Sequence, residues 1–120
     1  MSETPVTVSD DDGLSITERR TQRRTVLAVT GEIDVATGTR LRNRLAESLN
    51  DPDTDQVVVD LREVSMMSST GIAVLVDAHW QADQQGKSLG VVVGDNRAVA
   101  HPLRITGVDQ VLNLRSTPES

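Results

Sequence analysis

Two valine-rich runs constrain the fold of this chain more than any other feature. "QVVVDL" at 56–61 and "LGVVVG" at 89–94 are short, apolar and rich in β-branched residues, which is typical of strands buried on both faces of a sheet. The segment between them, 69–85, has the length of a helix and is followed by Gly86. A strand–helix–strand order predicts parallel strands joined by a right-handed crossover.

Two further strands precede the first valine run. "LSITERR" at 14–20 and "TVLAVTG" at 25–31 predict the arms of a hairpin. The tip between them contains four arginines, Arg19, Arg20, Arg23 and Arg24. Such a cluster is typical either of a solvated turn or of a surface that binds an acidic partner.

A leucine stripe predicts the first helix. Leu41, Leu45 and Leu49 repeat every four residues and give one apolar face. Asp34 precedes this stretch and is a candidate N-cap, because its carboxylate can accept from first-turn amides. "NDPDTD" at 50–55 ends the helix through proline and turn-forming neighbours.

The two ends of the chain complete the expected organisation. Residues 96–106 predict a short third helix weakened by Pro102, and "VLNL" at 111–114 a last strand. We therefore expect one α/β domain with a mixed, mostly parallel sheet of four to five strands flanked by three to four helices. A flexible acidic arm, the folded domain and a short tail would occupy 1–13, 14–116 and 117–120.

Composition excludes several classes of function. The net charge of −6 and the pI near 4.7 argue against nucleic acid, which binds basic surfaces. The absence of cysteine excludes disulfides and thiolate zinc sites, and the carboxylates form no recognisable metal loop. We find no signal peptide and no apolar run of membrane-spanning length, so we expect a cytoplasmic protein that needs no membrane.

Three consecutive hydroxyl side chains open the second helix: Ser68, Ser69 and Thr70. One hydroxyl suffices for an N-cap. The others could therefore serve as a nucleophile, as part of a phosphate-binding loop or as the acceptor of a phosphoryl group. His79 lies about 15 Å from Ser69 along the same helix at 1.5 Å per residue, so it cannot activate that hydroxyl. Neither a G-x-S-x-G elbow nor a G-x-x-x-x-G-K-[ST] loop is present. We expect no enzyme activity and no cofactor.

Three other residues leave alternatives open. Asp60 ends a "VVVD" strand as a receiver-domain aspartate would, but the acidic pair and late lysine that such a site needs are absent. His101 is interpreted as structural. Trp80, on the second helix, fits either core packing or a partner-facing surface.

Two motifs together resemble a known family. "TGEID" at 30–34 and "VVVDLREVSMMSSTGIAVL" at 57–75 are similar to the STAS domain of bacterial anti-sigma factor antagonists, and the resemblance runs from about residue 6 to 116. It implies partner switching: the unphosphorylated protein binds an anti-sigma factor, freeing a sigma factor, and phosphorylation releases it. The partner would be an ATP-dependent serine kinase, and a PP2C-type phosphatase would reverse the modification.

The resemblance also assigns roles to residues. Ser69 matches the phosphorylated serine, whereas Ser68 replaces the Asp that usually precedes it. Asp34 matches an acidic residue near the phosphosite. The implied partner surface is Asp34, Met66, Met67, Ser68, Thr70 and Gly71, on a monomer or weak dimer. Two alternatives remain: a STAS scaffold subunit of a larger assembly, such as a stressosome or the detached relative of a transporter domain, and a small-ligand or nucleotide sensor.

Overall fold

The chain forms a six-stranded sheet with three α-helices, in a computed structural model that describes residues 4–11 and 13–119. In chain order, the strands are β1 Thr4–Asp11, β2 Leu14–Thr21, β3 Arg24–Ile33, β4 Gln56–Met67, β5 Ser88–Val92 and β6 Asn113–Arg115. The helices are α1 Val35–Asn50, α2 Ser69–Gln84 and α3 Arg97–Ile105, with a 3-10 turn at Val108–Gln110.

The strands lie in the sheet in the order in which they occur in the chain. The pairs β1–β2 and β2–β3 are antiparallel, whereas β3–β4, β4–β5 and β5–β6 are parallel. All three parallel connections step in the same direction and each contains a helix, so right-handed crossovers place α1, α2 and α3 on one face. This confirms the expected α/β fold with a mixed, mostly parallel sheet, although the sheet has six strands instead of the four to five that were predicted.

The first strand differs from the prediction of a flexible arm at 1–13. Residues Thr4–Asp11 form β1, which pairs with β2 along the edge of the sheet. The polar and acidic composition of residues 1–13 led to the prediction of an arm, but backbone pairing with β2 does not depend on side-chain polarity. Residues 1–3 and 12 of the predicted arm lie outside the described residues, as does Ser120 of the predicted tail.

One aliphatic core lies between the sheet and the helices. The predicted stripe of Leu41, Leu45 and Leu49 is fully buried. It packs in the same cluster as alternate residues of the hairpin and as residues of the other two helices: Leu14, Ile16, Leu27, Val29, Val74, Leu75, Ala78, Val99 and Leu103. Burial of Val99 and Leu103 holds α3 in place although Pro102 interrupts its backbone hydrogen bonding.

Strand β4 is longer than its apolar run predicts. Beyond Leu61 it continues beside β3 as far as the pair Ile33↔Met67, with register shifts between Ala28 and Thr30 and between Gly31 and Glu32. As a result, β3 and β4 end side by side, and each leads directly into a helix. Of the described helices, none is long and apolar enough to cross a membrane.

The arginine-rich tip of the β2–β3 hairpin packs against the acidic loop before β4. Arg20 forms an ion pair with Asp51, and the Nε of Arg23 lies 2.6 Å from a carboxylate oxygen of Asp55. Gln22 makes the turn with a positive φ of 54°. Two of the four arginines are thus neutralised within the chain rather than by an acidic partner.

Candidate functional site

The candidate site is built from two neighbouring helix starts. Asp34 follows β3 and caps α1, and Ser68 follows β4 and caps α2. The amide of Ser68 donates to the carbonyl of Ile33 at 2.9 Å. Parallel strands that end together therefore bring the caps of α1 and α2 to the same edge of the sheet, where sites on α/β folds are commonly found.

Asp34 makes a capping box with Thr37. Its Oδ1 accepts from the Thr37 amide at 2.9 Å, and its own amide donates to the Thr37 hydroxyl at 2.8 Å. The Thr37 hydroxyl in turn donates to the carbonyl of Glu32 at 2.8 Å. The hydrogen bond from the Thr37 amide, followed by that from its hydroxyl, lowers the pKa of the Asp34 carboxyl below its ordinary value. The site thus holds a fixed negative charge at neutral pH.

The three hydroxyls have three different environments. The Ser68 Oγ accepts from the amide of Gly71 at 3.3 Å and so caps α2. Thr70 is half-buried and faces α1, where a Cβ on Gly38 would lie 2.9 Å from its methyl group. Ser69, the first residue of α2, is exposed. Of the three, Ser69 therefore has the most accessible side chain, and its hydroxyl is not the one that caps the helix.

Met67 and Gly71 lie beneath the site instead of on its surface, which differs from their predicted place on the partner surface. Met67 is only 8% exposed. A Cβ on Gly71 would come within 2.3 Å of the Met67 sulfur and 2.7 Å of a methyl group of Ile33. Gly71 is needed because α2 approaches the ends of β3 and β4 too closely for a side chain. These two residues support the site through packing.

Two apolar side chains at the surface add to the residues found from the sequence. Met66 is half-buried, as expected if one of the two methionines reaches the surface. Val35, directly after the Asp34 cap, is 72% exposed and was missed. A large apolar residue at the first position of a helix, before the leucine stripe begins, is the signal that could have found it. Trp80 is 52% exposed, so core packing does not explain it.

Ser69 presents an exposed hydroxyl at the first position of α2. His79 lies further along α2, in edge-on contact with Trp80. Among the described residues, no group of three or more His, Asp or Glu side chains could hold a metal ion. The start of α2 carries the partial positive charge of its amides, which favours an anionic group at this end of the helix.

Comparison with known proteins gives a consistent result. The family model described as Mlab, STAS domain, matches residues 16–115. The chain is 30% identical to the anti-sigma-F factor antagonist RsfB of Mycobacterium tuberculosis over 112 residues, which cover 93% of this chain and 81% of RsfB.

Solved structures show the same fold. An anti-sigma factor antagonist from Mycobacterium paratuberculosis superposes with a TM-score of 0.71 at 28% identity, covering 97% of this chain and 87% of that one. SpoIIAA, an anti-sigma factor antagonist from Bacillus, superposes in its unphosphorylated form with a TM-score of 0.71 at 12% identity, covering 87% and 90%. At that identity the likeness to SpoIIAA shows the fold alone. The chain belongs to the STAS domain family, among the relatives of bacterial anti-sigma factor antagonists.

Proposed function

We propose that this protein is an anti-sigma factor antagonist that works by partner switching. Its unmodified form binds an anti-sigma factor and so frees a sigma factor; phosphate on Ser69 ends that binding. The observation that carries the proposal is the division of roles among the hydroxyls, with Ser68 occupied as a cap, Thr70 packed towards Gly38 and Ser69 exposed. The name of the relative RsfB supports the same class of partner.

Charge explains why phosphorylation would oppose binding. A phosphate adds about −1.5 to −2 charges at pH 7, next to a helix start whose neighbour already carries the ionised Asp34. The partner would have to desolvate both charges at once, which costs several kcal/mol unless each is paired. The fold itself tolerates the phosphate, because the α2 amides stabilise an anion there.

The partner would be a serine kinase that uses ATP, and a PP2C-type phosphatase would restore the binding form in the cytoplasm. The protein itself would act as a substrate and ligand in this cycle, not as a catalyst. Ser68 keeps the cap but lacks the charge of the family's usual Asp. The kinase that recognises this chain would therefore tolerate a neutral residue before the acceptor.

Phosphopeptide mapping with the cognate kinase and ATP tests this proposal. We expect a single phosphate on Ser69, no modification of Ser69→Ala, and unchanged modification of Thr70→Val. Ser69→Ala should bind the anti-sigma factor with or without ATP, whereas wild type should be released when ATP is added. Ser69→Asp should bind more weakly than wild type but should keep part of its affinity, because aspartate carries less charge than phosphate. Phosphate on Ser68 or Thr70, with Ser69→Ala modified to the wild-type level, would overturn the assignment.

A further inference from the structure

One side of α2 carries a stripe that begins at the candidate phosphosite. Ser69, Ala73, Val76 and Trp80 are spaced by four, three and four residues, so they lie on the same side of the helix. Ser69, Ala73 and Trp80 are exposed, and Val76 is half-buried. We call these four residues the α2 outer stripe. Beyond Ser69 its members are apolar, although the helix side opposite already packs on the core.

Trp80 is the most unusual member of this stripe. It is the only tryptophan of a chain that has no tyrosine or phenylalanine, yet 52% of it faces solvent. The ring of His79 packs edge-on against it, with centroids 5.0 Å apart and planes at 73°. A tryptophan side chain also has only two rotatable angles, so it loses little conformational entropy when a partner covers it.

We infer that the α2 outer stripe is the docking surface for the kinase that modifies Ser69, with Trp80 as its apolar anchor; this inference rests on the proposed function. Trp80 lies about 16 Å from Ser69 along the helix, at 1.5 Å per residue. A stable interface buries about 800 Å² on each partner, which is a disc of roughly 16 Å radius. A partner centred midway along the stripe, about 8 Å from each end, therefore covers both Ser69 and Trp80, and tryptophans are enriched among residues that dominate binding energy.

The borders of the stripe indicate the chemistry of the matching surface. Asp77 and Asp83 are exposed on the same helix, and Asp77 lies 3.8 Å from Arg42 of α1 in a loose, solvent-exposed pair. With a net charge of −6 on the whole chain, these carboxylates favour a partner that surrounds an apolar pocket with basic side chains. Opposite charges at such a rim raise the rate of association more than the final affinity.

The first experiment compares Trp80→Ala with Ile105→Ala, using the purified serine-kinase partner of the wild-type chain. Ile105 is 69% exposed on α3 and serves as a matched apolar control away from the stripe. We expect Trp80→Ala to raise the Kd at least tenfold, and to raise the KM for phosphorylation with kcat unchanged. Trp80→Phe should recover part of the affinity, and Ile105→Ala should match wild type. Equal Kd values for wild type and Trp80→Ala would overturn the inference.

A second readout avoids substitution altogether. The single tryptophan, labelled as 5-fluorotryptophan, gives one fluorine resonance in NMR even when the partner contains its own unlabelled tryptophans. We expect this resonance to shift on partner binding and to return when ATP leads to phosphorylation. A resonance that does not move while the partner is bound would contradict the inference alone. A wild-type chain that binds no serine kinase would overturn the proposed function and this inference with it.

Discussion

The hydrogen bond from the Ser68 amide to the Ile33 carbonyl ties the start of α2 to the end of β3. Ile33 precedes Asp34, the cap of α1, so this bond also fixes the separation of the two helix starts. Both caps belong to one rigid unit at the edge of the sheet. Substitutions in and around this unit can separate its contribution to stability from its contribution to binding.

Replacement of the helix cap should affect stability, and replacement of the proposed acceptor should not. Ser68→Ala removes the oxygen that accepts from Gly71 and should lower the free energy of unfolding by about 0.5–2 kcal/mol. Ser69→Ala should leave it within about 0.5 kcal/mol of wild type, as for an exposed surface position. Urea unfolding of both variants measures the difference. An equal loss in the two would mean that Ser69 shares the capping role.

Gly71 should prove to be a folding residue. Gly71→Ala places a Cβ against the Met67 sulfur and the Ile33 methyl group and should destabilise the protein by roughly 1–3 kcal/mol, the usual cost of overpacking. The sign is diagnostic, because an uncrowded helical glycine would gain about 0.5–1 kcal/mol from the same change. Thermal unfolding measures it. If Gly71→Ala lost partner binding while its stability stayed unchanged, Gly71 would instead belong to the partner-binding surface.

Asp34 should make stability depend on pH in the acid range. Its pKa is lowered in the folded state, so the carboxylate contributes stability above the unfolded pKa and loses it as the pH falls through the folded pKa. Asp34→Asn can still cap but carries no charge. Urea unfolding of both proteins from pH 7 to pH 2 should show a wild-type advantage that disappears on acidification. A difference that stays constant with pH would rule out the charge as its source.

Lys87, the only lysine, should stabilise the end of α1. Its Nζ donates to the carbonyls of Leu49 and Asp51 at 2.6 and 2.8 Å. Lys87→Met keeps the aliphatic stem but leaves both carbonyls without this donor, so we expect a loss of about 1–3 kcal/mol. Gln84→Met, at an exposed position nearby on α2, is the control. Calorimetric melting that is unchanged in Lys87→Met would show that water replaces the ammonium group without cost.

Burial that repeats at a fixed local period could be predicted from the sequence. The Leu41, Leu45 and Leu49 stripe and the valine run of β4 were found because each residue's environment follows from its neighbours in the chain. Strand β1 and residues 62–67 of β4 were not found, since β2 and β3 supply their pairing across the fold.

In the candidate site too, local features could be predicted from the sequence and features that depend on tertiary contacts could not. Asp34 and Ser68 could be placed at helix starts because capping is a local interaction. The inward direction of Met67 could not be predicted, because the register shifts in the β3–β4 pair change the alternation, so that Val64 and Met67 are both buried three residues apart. Trp80 was left open by its helical neighbours, and only the tertiary packing of α2 decides its exposure.

The helix cap, Ser68, and the proposed phosphate acceptor, Ser69, are different residues. This separation affects what happens to the helix cap when one molecule is modified and restored. The cap of α2 uses the Ser68 hydroxyl and not that of Ser69, so we expect a molecule that gains and loses a phosphate on Ser69 to keep this capping bond in both states. The same separation allows residues 68 and 69 to change independently during evolution. A substitution at position 69 that alters recognition by a partner would not require a compensating substitution in the core to restore stability.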